Sequence, residues 1–270
     1  MSEWNFMDFA SKDNLLRTVQ EQSDQMLALA SEPGAWENPT ASGHWEVRDV
    51  VGHLVDTTEG YFAGWDAASG KGTVPDALGV KGMNKHVDDG ALALRSVPQD
   101  ELLARLDKDR AQMMSMMQEL DADSWGSFMV PHKYMGPLPA FFYPVAQLVD
   151  YAVHTWDIRQ GSGRSHAMDG DAADLLVPFC FIVWQSTAEC MSVEPFTIGV
   201  RITGNNGGET RASITSEGVS FEPGDVSDLP LVLDFDPASF VLTAMGRVNG
   251  GTAHGDGSLT EKFCNLFFRI

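Results

Sequence analysis

The stretch Asp150-Tyr151-Ala152-Val153-His154-Thr155-Trp156-Asp157, taken with His53 far upstream, decides the reading of this chain. Asp150 and His154 are four apart, so on a helix they project from one face, one turn apart. A carboxylate oxygen and an imidazole nitrogen placed this way form half of a divalent-metal site, and His53 supplies a third ligand. Three protein ligands with water in an open position is the pattern of a catalytic zinc rather than a structural one. The helical wheel, at about 100° per residue, puts Val145, Val149, Ala152, Val153 and Trp156 in one apolar stripe. Asp150, His154 and Asp157 fall together on its shoulder, within roughly 60° of arc. In the segment starting near Glu46 the stripe is Val47, Val50, Val51, Leu54, Tyr61, Phe62 and Trp65, and His53 again lies on the shoulder. Shoulder positions on two packed helices converge at the rim of a bundle, where a pocket can open. The same i,i+4 pair also fits a solvated helix face, and the wheel allows either.

The chain has 270 residues, 43% of them hydrophobic, which suits two modest domains better than one. A net charge of −20 makes nucleic acid and anionic membrane surfaces poor partners. An anionic substrate would then need a local cationic anchor. Cys180, Cys190 and Cys264 are odd in number and lack metal-ligand spacing, which argues for a reducing cytoplasm over a disulfide framework. Cys180 and Cys264 sit in apolar runs and read as small buried residues. The opening Met-Ser-Glu-Trp-Asn-Phe has no basic region followed by an apolar core, so no signal peptide is visible. No apolar run approaches the roughly 20 residues that span a bilayer. The expectation is a soluble cytoplasmic protein.

The pattern changes near residue 165. Before it, Phe9 to Leu29, Glu46 to Ser69, Pro98 to Leu120 and Ala140 to Gly161 are long amphipathic segments without intervening strands, which predicts a four-helix bundle over residues 1–165. The connection from Gly70 to Val97, with its glycines, charges and Pro75, is more than a tight turn, with room for a short helix or a cover over the pocket. Ser124 to Pro139 reads as a loop. Residues 166–270 read as α+β: an apolar helix from Asp171 to Cys190, a period-2 strand from Phe196 to Ile202, and a turn at 204–208. A returning strand runs from Thr210 to Thr215, and Leu231 to Phe235 is another strand. Asp236 caps a helix with Pro237 at its first position, and Ser258 to Phe268 is a last amphipathic helix.

Trp45-Glu-Val-Arg-Asp-Val-Val-Gly-His53-Leu and Asp150-Tyr-Ala-Val-His154-Thr-Trp-Asp157-Ile resemble the second- and fourth-helix signatures of the mycothiol-dependent maleylpyruvate isomerase family, within the DinB-like metalloenzymes. Leu231-Val-Leu-Asp-Phe-Asp-Pro-Ala-Ser-Phe240, Met245-Gly-Arg247, Gly255-Asp256 and the final helix resemble its C-terminal domain, itself similar to sterol carrier proteins. The resemblance covers nearly the whole chain. It implies a DinB-like four-helix bundle carrying a divalent metal, usually zinc, followed by a smaller α+β sterol-carrier-like domain. The family's metal ligands fall on His53, Asp150 and His154. Asp150 stands where the family usually has glutamate; one methylene shorter, it brings the metal closer to its helix or admits a water. The arginine that faces substrate in the family falls on Arg247, and the domain bearing it is expected to close over the bundle. The implied function is a metal-dependent isomerase or transferase that uses a low-molecular-weight thiol, mycothiol, on a small anionic substrate. Two other readings stay open: a thiol-independent metalloenzyme for hydrolysis or rearrangement, and a non-catalytic small-molecule-binding protein.

Asp157, near one turn beyond His154, either orients that imidazole or is a surface carboxylate. His132 and Lys133 read as a solvated loop, with pocket lining as the other reading. His44, His86, His166 and His254 have no ligand spacing. Met113, Met114, Met116 and Met117 read as adaptable packing.

Overall fold

The computed structural model describes residues 2–74, 76–164 and 166–269. Pro75, and Ser165 where the sequence places the domain boundary, lie outside the described residues. The chain divides into two compact units, Met1–Met168 and Asp169–Ile270.

The first unit is built on four long helices, α1 (Lys12–Ala30), α2 (Val47–Ala68), α4 (Gln99–Glu119) and α6 (Phe142–Gly161), with the short α3 (Met83–Ala93) and α5 (Ala122–Ser127) in the connections. Each long helix buries the stripe its sequence writes. α1 packs on α6, and α4 packs on α2 and α1, burying Leu15, Leu16, Val19 and Met26 of α1 and Leu102, Leu106, Met113 and Met117 of α4. Burying a side chain of this size contributes roughly 1.5–3 kcal/mol, so these stripes outweigh the weak intrinsic preference of any one helix. α2 begins in a capping arrangement, with the Asp49 carboxylate accepting the Glu46 backbone N–H at 2.9 Å. The same carboxylate receives Arg95 from the segment after α3, which fixes the first turn of α2 from two sides.

The stretch from Ser124 to Pro139 is not a plain loop. It completes α5 and then folds as an antiparallel hairpin, β1 (Met129–His132) with β2 (Gly136–Pro139), pairing Val130 with Leu138 and His132 with Gly136. Pro131, Pro137 and Pro139 hide the strands, because proline is a poor ladder residue and reads as a breaker. The hairpin sits against α2 at Gly64, where a Cβ would come within 2.5 Å of the Pro131 carbonyl oxygen. The connection after α2 does contain a helix, α3, whose buried contribution is Ala91 alone.

The second unit is a five-stranded sheet ordered β5-β4-β3-β6-β7, with α7 (Gly170–Thr187), α8 (Pro237–Ala244) and α9 (Gly257–Cys264). Strands β3 (Phe196–Ile202) and β6 (Leu231–Phe235) run parallel at its centre; β4 (Gly208–Thr215), β5 (Gly218–Pro223) and β7 (Thr252–Gly255) pair antiparallel. Trp184 of α7 stands among Phe221, Phe235, Phe240, Phe263 and Phe267 and forms the aromatic centre of this unit. Asp236 caps α8 through the Ser239 N–H, with Pro237 following it. Cys180 and Cys190 are buried, but Cys264 is exposed, because Phe263 takes the inward position and the next residue of α9 turns about 100° away. No described helix is long and apolar enough to cross a membrane.

Candidate metal centre

His53 lies on α2, one turn after the doubly anchored Asp49. Asp150 and His154 lie on successive turns of α6, which packs on α2. The three side chains converge: one ligand atom from each lies within 4.8 Å of the others. His53 Nε2 and Asp150 Oδ1 are 3.4 Å apart. Metal–ligand bonds of about 2.1 Å at a tetrahedral angle would set ligand atoms about 3.4 Å apart, a spacing that the His53–Asp150 pair matches.

The second nitrogen of each imidazole is engaged. His53 Nδ1 lies 3.2 Å from Thr57 Oγ1, one turn along α2. His154 Nδ1 lies 2.9 Å from Asp157 Oδ2. Both rings therefore direct Nε2 toward the shared centre, and the partners on Nδ1 fix ring orientation, as is usual for metal-bound histidines. Asp157 is fully buried, which removes its reading as a surface carboxylate. The His53 and His154 side chains are 8% and 7% exposed and Asp150 19%, so the carboxylate faces the more open side. Two imidazoles and a carboxylate, each backed or partly open in this way, are a donor set that fits a divalent metal such as zinc.

Trp45 closes the other side. Its ring centroid lies 5.2 Å from His53 and 5.8 Å from His154, and its indole N–H donates to Asp88 of α3 at 2.7 Å. Asp88 also faces His44 Nε2 at 3.0 Å. This gives α3 a role that its weak apolar pattern does not announce: it pins the indole that walls the histidines. Thr57 and Asp88 carry no motif that singles them out, although Thr57 at i+4 from His53 is a spacing that could have been noticed.

His132 is not a solvated loop residue. It ends β1 with its ring against Tyr61, Tyr134, Phe142 and Tyr143. Burial lowers its pKa to about 4, with Asp150 opposing the shift. Lys133 beside it is exposed, its ammonium 5.6 Å from the centre of the Tyr134 ring. Tyr61 is held far above the usual phenol range, first by burial and then by the Asp150 charge. In the second unit, Arg247 donates from Nη1 to the Met245 carbonyl at 2.9 Å, folding back over the turn after α8. His86, His166 and His254 stand beside Tyr134, Trp156 and Asp234, and none of them belongs to the His53–Asp150–His154 group.

The fold and site define a helical bundle with a His–Asp–His cluster that could hold a metal between two of its helices, followed by a mixed-sheet unit. Residues 16–159, more than half of the chain, match the family described as the mycothiol maleylpyruvate isomerase N-terminal domain, and the chain belongs to that family. A crystal structure of the mycothiol-dependent maleylpyruvate isomerase shares 14% identity over 90% of this chain and 92% of its own, with a TM-score of 0.60. A histidine-to-alanine mutant of the mycothiol-dependent maleylpyruvate isomerase matches over the same shares at 14% identity, with a TM-score of 0.59. At that identity the likeness speaks for the fold, which extends through both units. No curated protein matches the chain.

Proposed function

We propose that the protein is a metal-dependent enzyme that activates a low-molecular-weight thiol, mycothiol, for cis–trans isomerisation of a small anionic substrate, or for thiol transfer to it. The observation that carries this reading is the convergence of His53, Asp150 and His154 inside a domain of this family. A divalent metal on these residues, zinc by the chemistry of the donor set, would supply positive charge that converts a bound thiol to thiolate near neutral pH.

The chain's own groups do the rest. The Asp157 carboxylate holds His154 in the tautomer that presents Nε2, and the Thr57 hydroxyl orients the His53 ring. Trp45 covers the histidine side, and the more exposed Asp150 leaves a side for ligands. Arg247 is assigned to the substrate carboxylate, which a chain of net charge −20 otherwise repels; its planar fork suits that task.

Metal content of the purified protein and turnover of maleylpyruvate with and without mycothiol test the reading. Turnover that needs no thiol would support hydrolysis or rearrangement at the metal instead, and a metal-free, inactive protein would leave a binding module. Arg247→Met should cut turnover sharply with metal content unchanged. Unaltered kinetics would return Arg247 to its contact with Met245.

A further inference from the structure

The hairpin fixes one side chain whose chemistry the metal ligands do not use. His132 Nδ1 accepts the backbone N–H groups of both Tyr134 and Met135, each at 3.3 Å. A ring nitrogen that accepts two N–H groups presents its lone pair and carries no proton. In a neutral imidazole the proton must then sit on Nε2. The turn at 133–135 thus selects the tautomer, and the desolvated setting keeps the ring uncharged near neutral pH. His132 is a fixed N–H donor, not an acid–base group.

That donor is available. Nε2 makes no hydrogen bond to any described residue, and it is not among the polar atoms sealed from solvent without a partner. Tyr61 and Phe142 lie 6.0 Å from the ring, centroid to centroid, so the flanks are packed and the half-buried ring leaves Nε2 not fully sealed from solvent. His132 rests on Tyr61 of α2 and Tyr143 of α6, so the hairpin face lies along the two helices that carry His53 and Asp150. A molecule that covers Nε2 there takes it out of solvent and must offer an acceptor in return, since an unmet donor in a partly dry site is costly. A neutral donor suits a carboxylate whose charge is already balanced by a cation on Asp150.

We propose that His132 is a substrate-binding residue whose Nε2–H donates to a carboxylate oxygen of the small molecule held at the His53–Asp150–His154 centre. This rests on the reading of that centre as a metal site for anionic substrates. It adds a specificity determinant on the hairpin, separate from the ligands and from Arg247.

Two measurements test it on the full-length, zinc-loaded protein. Long-range nitrogen–proton NMR of the histidine rings should report the Nε2–H tautomer for His132 near neutral pH. An Nδ1–H tautomer or an imidazolium there overturns the proposal. Calorimetric titration with maleate, a cis-dicarboxylate, should show about tenfold weaker binding in His132→Leu. His132→Gln, whose amide nitrogen reaches the Nε2 position, should recover most of the loss, with zinc content equal in all three proteins. Equal affinity in His132→Leu and wild type, or a wild type that does not bind maleate, overturns the proposal. The two readings fail separately. Mycothiol-dependent turnover that His132→Leu leaves unchanged sinks the His132 role alone, whereas His132-dependent maleate binding without any thiol-dependent turnover sinks the thiol chemistry alone.

Discussion

His154 Nδ1 and Asp157 Oδ2 stand 2.9 Å apart with both side chains buried, so the imidazole is held by a carboxylate that has no contact with solvent. Carboxylate backing of this kind fixes ring orientation and raises ligand basicity. Asp157→Asn keeps the shape and removes the charge. It should weaken metal binding by about 10–100-fold while leaving the fold intact, as read by competition with a chromophoric chelator alongside a melting curve. Unchanged affinity would leave Asp157 as a packing residue only.

The ligand set itself predicts an ordering. His154→Ala and His53→Ala should each lose most bound metal, whereas Asp150→Glu should bind it no worse, because glutamate reaches the same centre with one more methylene. Elemental analysis of the variants decides this. If metal binding and folding are linked as expected, a chelator lowers the melting temperature of the wild type but not that of His154→Ala.

Much of this site is legible in the amino-acid sequence. α2 and α6 announce themselves because Val47, Val50, Val51 and Leu54, and Val145, Val149, Ala152 and Val153, repeat at helical spacing, and the ligands sit on the shoulders of those stripes. Asp157, three residues after His154, is legible as well, but the surroundings drawn from other elements are not. Asp88 lies on a helix that buries only Ala91, so no stripe marks it. His132 lies on a strand disguised by prolines, and its environment comes from Tyr61 and Tyr143 on two other elements, which only the tertiary fold brings together. β7 is hidden by glycine-rich sequence and is strand because β6 pairs with it. Local pattern therefore carries the ligands and Asp157, and long-range packing brings in Asp88 and His132.

The Asp49–Arg95 pair gives the bundle an acid-sensitive anchor. Burial pushes the Asp49 carboxyl up, but the Arg95 hydrogen bonds, the Glu46 amide and the nearby positive charges outweigh it and hold the group below the usual carboxylate range. A carboxylate with a depressed folded pKa adds stability that is fully present above its unfolded value of about 3.9 and is lost as pH falls through the folded value. Asp49→Asn should therefore be less stable near neutral pH, by roughly 1–3 kcal/mol. A fully buried pair would cost more, and Arg95 keeps 37% of its side chain exposed. The gap should close as the solution is made more acid than about pH 4. Denaturant unfolding at neutral and acid pH measures both; a gap that persists unchanged in acid would assign the loss to the helix cap instead.

Two glycines on one helix give opposite expectations. Gly60 is exposed on α2, and a methyl group added there would have nothing within 4 Å, so Gly60→Ala should gain about 0.5–1 kcal/mol from helix propensity. Gly64, one turn on, is buried against the hairpin, where the added Cβ meets the Pro131 carbonyl oxygen at 2.5 Å and Val130 Cγ1 at 3.3 Å. A backbone oxygen cannot rotate aside as a side chain can. Gly64→Ala should therefore lose about 1–3 kcal/mol despite the same gain in propensity. Because the displaced strand is the one that ends in His132, the variant should also weaken maleate binding with zinc content unchanged. Equal melting temperatures for the two alanine variants would mean that the hairpin does not press on α2 in solution, and would remove the basis for placing His132 beside Tyr61.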